Sequence, residues 1–71
     1  MDILIFKTDI ANRWHSAALH PILNQVPGII KYSVDVEDID HVLRIETQNV
    51  KALQIKNMLM QAGYYCEELE D

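Results

Sequence analysis

Few side chains in this 71-residue chain could do chemistry: His15, His20 and His41, one cysteine at Cys66, and eleven carboxylates. Imidazoles beside carboxylates are the donor set of Zn(II) or Ni(II), whereas a soft ion needs ionised thiols. His15 and His20 lie five positions apart, about 140° round a helix, so they cannot share a ligand face. Met58 and Met60 stand about 200° apart on the same reasoning and cannot grip one ion together. The acidic run Asp35-x-Glu37-Asp38-x-Asp40 lacks the central glycine and the late bidentate glutamate of a calcium loop. Neither Cys66 nor Ser16 has an evident histidine base, so nucleophilic catalysis is not expected.

The elements that must position these groups follow from periodicity. Residues 3–8 alternate, with Leu4, Phe6 and Thr8 on one face and Ile10 continuing the set, which predicts a strand. A polar stretch, residues 9–13, precedes a helix running to about Val26 with Leu19, Ile22, Leu23 and Val26 as its stripe. Pro27-Gly28 should end it. Residues 29–36 alternate as a second strand, with Ile30, Tyr32, Val34 and Val36 facing one way. An acidic turn leads to a third strand, residues 42–47, in which Leu43 and Ile45 share a face. Asn49 is a candidate N-cap for a helix over residues 50–62, whose buried stripe would be Ala52, Ile55, Leu59 and Ala62. Gly63 should stop that helix, and residues 64–69 form a short fourth strand before an acidic end.

Two βαβ units in a row predict an α+β, ferredoxin-like βαββαβ fold: one four-stranded antiparallel sheet with two helices on one face, a single domain over residues 1–71. The second unit needs only Gln48-Asn49 between strand and helix, while the first spends Asp9-Ile10-Ala11-Asn12-Arg13 there. Loops longer than geometry requires are where function concentrates. In this topology the first loop, the turn around residues 37–41 and Gly63-Tyr64 lie at one end of the sheet. His15 and His41 would meet there beside Glu37, Asp38 and Asp40.

Four pieces in natural order then carry a resemblance. They are Val26-Pro27-Gly28-Ile29, Tyr32-Ser33-Val34-Asp35-Val36, Val42-Leu43-Arg44-Ile45 and Gln61-Ala62-Gly63-Tyr64. The chain resembles the heavy-metal-associated domain of small copper chaperones, mercury-binding proteins and the N-terminal modules of metal-transport ATPases. That family carries Met-x-Cys-x-x-Cys on its first loop, and two thiolates hold Cu(I) or a similar soft ion. With Ile10 on the family's Met, Asn12 stands where the first cysteine belongs and His15 where the second belongs. The resemblance implies the fold with its metal loop degenerate.

Two functional readings follow. In the first, the domain has lost Cu(I) binding, takes no cofactor and acts on a protein partner. Arg13, Trp14 and Tyr64 are its interaction candidates, since Trp, Tyr and Arg dominate interface hot spots. Trp14 would either stand out as a sticky spot or fold over the loop and plug it, the second being favoured. In the other reading a divalent ion such as Zn(II) is held by His15 with Asn12, His41 or Cys66. Against that, Cys66 alternates with Tyr64 and should be a small buried apolar group.

Charge and composition exclude other classes. Residues 1–34 set Lys7, Arg13 and Lys31 against Asp2 and Asp9, while residues 35–71 hold nine acids and three bases. The net charge of −5 and the lack of a basic stripe argue against nucleic acid, as does the single inward-pointing phenylalanine of the sheet. No run of residues is apolar enough to insert in a membrane. An anion-cradling enzyme loop fails because no glycine stands near Asn12-Arg13. One cysteine suggests a reducing, cytoplasmic setting. Edge strands 2 and 4 could pair in a homodimer, although the acids at residues 67–71 oppose it.

Overall fold

The computed structural model describes residues 2–69, in the order β1 (Asp2–Thr8), α1 (Arg13–Leu23), β2 (Ile29–Val34), β3 (Leu43–Thr47), α2 (Ala52–Gln61) and β4 (Cys66–Glu68). The strands form one sheet in the order β2-β3-β1-β4, and every neighbouring pair is antiparallel. This is the ferredoxin-like arrangement expected from the alternating pattern. Glu70 and Asp71, the last residues of the acidic end, lie outside the described residues.

One face of the sheet carries the core. Phe6, Leu43, Ile45 and Cys66 from the strands pack with Leu19 and Leu23 of α1 and Ile55 and Leu59 of α2. Ile10, just past β1, is fully buried among them, as the alternation predicted. The opposite face pairs Ile3 with Glu46 and Ile5 with Arg44 across β1 and β3. Lys31 meets Glu46 there at 3.3 Å. No helix among the described residues is long and apolar enough to cross a membrane.

Several boundaries differ from the sequence reading, each for a local reason. Helix α1 contains Pro21 and stops at Leu23, three residues before Val26. Pro27 keeps the preceding Val26 out of helical geometry, so the chain tightens: Gln25 N–H reaches the Ile22 carbonyl and Val26 N–H that of Leu23. Val26 still enters the core, but from a turn. Strand β2 carries a register shift between Ile29 and Lys31, so Ile29 faces Thr47 and Ile30 is 55% exposed rather than inward. β2 ends at Val34 because Asp35 begins the turn, and β4 is only three residues long.

Asn49 is not the N-cap of α2. It adopts φ 63° and turns Val50 into the core, so the helix starts at Ala52 after an uncapped Lys51. Ala62, expected in the buried stripe, is the exposed C-cap. Gly63 ends the helix as expected, at φ 95°. Tyr64 N–H bonds back to the Leu59 carbonyl and Gly63 N–H to that of Met60, the paired closure of a left-handed cap.

Candidate functional site

Thr8, the last residue of β1, ties the loop end together. Its hydroxyl donates to the His41 carbonyl and accepts the N–H of Ile10 at 3.1 Å. Its own N–H donates to the Asp40 carbonyl at 3.1 Å. Lys7, one position earlier on the outer face, reaches Asp40 at 3.6 Å. Asp9 accepts Tyr65 N–H at 3.1 Å. The three segments predicted to be neighbours are thus joined at one end of the sheet, through Thr8 and Asp9. Sequence reasoning singled out neither; Thr8 was legible only as an inward position, and Asp9 finds its partner 56 residues away.

Asn12 has a structural task. Its side-chain carbonyl accepts the His15 N–H at 3.0 Å and caps α1, with φ −153° and ψ 171° at the cap. The imidazole of His15 and the neighbouring Arg13 are exposed. Trp14 is 84% exposed, so it does not fold over the loop as the favoured expectation had it. Trp14 lies in the first turn of α1, and it is Ile10, fully buried, that the loop contributes to the core. Tyr64 behaves differently: it is half-buried against the core.

The hairpin acids build their own turn. Asp35 accepts the N–H groups of Glu37 and Asp38 at 3.1 and 3.2 Å, and Asp38 accepts that of Asp40 at 2.8 Å. Such side-chain-to-backbone bonds stand in for a backbone turn. His41 closes it at φ 45°, its N–H bonded to the Asp38 carbonyl. Its ring Nδ1 is buried with no hydrogen-bond partner among the described residues.

Cys66 sits opposite Thr8 in the sheet, yet its sulfur is turned to the Lys56 carbonyl of α2 at 3.7 Å. Burial pushes its thiol above the ordinary range, with Asp9 adding to the effect and Lys56 opposing it. A thiol held protonated is a poor ligand and a poor nucleophile.

The fold is shared with a structure of known kind. A solved structure described as "Crosstalk between Cu(I) and Zn(II) homeostasis" superposes with a TM-score of 0.83 at 11% identity, over 97% of this chain and 100% of that one. No family model and no curated protein matches the chain. At 11% identity the likeness establishes the arrangement of strands and helices. The residues here decide the chemistry.

Those residues do not fit Cu(I). A soft ion of that kind is held by thiolates, the loop over residues 10–15 has none, and the one thiol faces α2. Among the described residues no group of three or more His, Cys, Asp or Glu side chains converges on one point. Asn12, His15, His41 and Cys66 therefore do not form one set: Asn12 caps the helix, Cys66 points inward, and the two imidazoles stand on separate segments.

Proposed function

We propose that this chain is a metallochaperone-like domain of the heavy-metal-associated type that works without the thiolate chemistry of that family, by engaging a protein partner through the Arg13–Trp14 start of α1. The observation that carries this reading is Trp14, 84% exposed on a helix start fixed by the Asn12 cap. A large aromatic on a rigid, capped turn loses little freedom on docking, and Trp and Arg are the types that anchor interfaces. The neighbour's description as Cu(I) and Zn(II) homeostasis favours a role in metal handling, as a partner-binding component. A single cysteine, which permits no disulfide within these residues, fits a reducing compartment.

A second reading, a divalent ion held by His15 with a nearby donor, has one observation in its favour: the Nδ1 of His41 is buried and without a hydrogen-bond partner among the described residues. Titration of the purified protein with Cu(I) and with Zn(II) separates the two. The partner-binding reading expects no stoichiometric uptake at sub-micromolar concentration. Tight stoichiometric binding that vanishes in His15→Ala would replace it with the second. A Trp14→Ala variant that keeps its fold but loses a co-purifying partner supports the first.

A further inference from the structure

β2 is an edge of the sheet, and its backbone phase can be read from the hydrogen bonds. Asp35 N–H donates to the Val42 carbonyl at 2.9 Å, in register with the pairs Ser33↔Arg44 and Lys31↔Glu46. Antiparallel pairs alternate between bonded and non-bonded, so Ser33 and Lys31 turn their backbone groups to β3. Tyr32 and Val34 turn theirs to the open edge. Their side chains are half-buried against the core, so the edge residues themselves are held firmly.

Beside this edge, at the other end of α1 from Trp14, runs a groove of about 280 Å³. Leu23, Val26 and Ile29 form its apolar floor, and His20, Lys31 and Tyr32 its rim. The Tyr32 hydroxyl lies 3.5 Å from His20 Nδ1. The exposed Ile30 also lines it, pushed out by the bulge. Among the described residues none that lines it is acidic, in a chain with eleven carboxylates. Lys31 meets Glu46 on the outer face, yet its side chain is 76% exposed and keeps donors for a second anion.

An open edge with two free backbone pairs, flanked by a helix and an apolar trough, is the geometry of strand addition. The Lys31 ammonium, with the His20 imidazole as a hydrogen-bonding neighbour on the rim, selects a carboxylate. We propose that β2 and its groove bind an extended segment of a partner protein in which an acidic residue stands beside an apolar one. The apolar side chain fills the trough over Leu23 and Ile29, the carboxylate meets Lys31 and His20, and the segment's backbone pairs with Tyr32 and Val34. A second copy is a poorer occupant. Its β4 edge is only three residues long, and β2 against β2 would bring Lys31 towards its equivalent. The site is separate from the Trp14 surface and stands or falls independently of it.

The test selects binders from a displayed library of random octapeptides on the purified protein, with amide exchange and chemical shifts read by NMR. The expected peptides carry a carboxylate next to an apolar residue and slow exchange at the Tyr32 and Val34 amides. Lys31→Glu and the milder Lys31→Gln should weaken binding, the first by about tenfold, while Trp14→Ala leaves it unchanged. The proposal is overturned by a selection without binders, by binders lacking carboxylates, or by protection at β4 or the outer sheet face. It is overturned equally if the peptide-free protein already self-associates through β2.

Discussion

Asn12 and His15 stand at the start of α1, one as the helix cap and the other as an exposed imidazole. The two positions are three apart across the first turn of α1, a spacing that puts side chains on neighbouring ground. An Asn12→Cys/His15→Cys double variant should therefore gain sub-micromolar Cu(I) affinity, measured by competition with a colorimetric chelator. It should lose about 1 kcal/mol of stability with the cap. Cys66 should be silent by comparison. Because burial raises its pKa, alkylation of the native protein should be slower than of the unfolded chain at every pH up to the ordinary thiol range. The sign for stability follows: the unfolded thiol ionises first, so this contribution is intact at neutral pH and declines as pH rises beyond about 8.5. Thr47 offers a third test. Its hydroxyl is buried without a partner among the described residues, so Thr47→Val should stabilise by about 1 kcal/mol in urea titration. At this scale the sequence showed which way Thr8, Ile10 and Cys66 face, because alternation encodes facing. It could not show that Asn12 is a cap and Asn49 is not. That depends on where each helix starts, which the packing of Ile10 and Val50 decides.

The elements are joined by two glycines with opposite surroundings. Gly28, at φ 100°, lies so close to the loop after β3 that an added Cβ would sit 2.5 Å from the Gln48 carbonyl oxygen and 2.8 Å from Val50. Gly63, at φ 95°, has open space where its Cβ would be. Gly63→Ala should cost only the left-handed backbone penalty, about 1–2 kcal/mol. Gly28→Ala adds a clash with a backbone atom and should cost roughly 3 kcal/mol or more, read as the difference in urea midpoints. The stop at Gly63 was legible, since a glycine after an apolar-periodic stretch predicts a left-handed cap, whereas α1 ends at Leu23 with Asn24 as its cap, four residues before Gly28. The bulge at Ile30 was not legible. Ile29 and Ile30 are equally apolar, and a period of two cannot say which one takes the inward place. Pairing to β3 chose Ile29, because the carbonyl of Gly28 is held by Gln48 N–H at 2.7 Å.

For the whole molecule, charge is the larger unknown that salt can probe. The chain carries −5, and on a body of 28 × 26 × 19 Å the described carboxylates lie within reach of many others at low ionic strength. Between about 0.01 M and 0.15 M salt the screening length falls from roughly 30 to 8 Å. The melting temperature should rise over that interval, and a flat response would mean that the turn-building bonds of Asp35 and Asp38 already absorb the repulsion. The imbalance between the two halves was plain in the sequence. Its use was not, since acids that accept backbone N–H groups look the same in sequence as acids that face water.

The sheet order also dictates when this chain can fold as it is made. β1 is synthesised first, yet it lies inside the sheet, with β3 on one side and β4 on the other. Its neighbours begin at Leu43 and Cys66, and among the described residues the last bond on the β4 side runs from Leu69 N–H to the Ile5 carbonyl. While the ribosome is still adding α2, β1 has an unpaired flank whose Phe6 is destined for the core. The nascent chain must carry an adhesive strand until nearly the whole domain has cleared the exit tunnel, so anything that slows release of β4 lengthens the period in which two such chains can stick to one another.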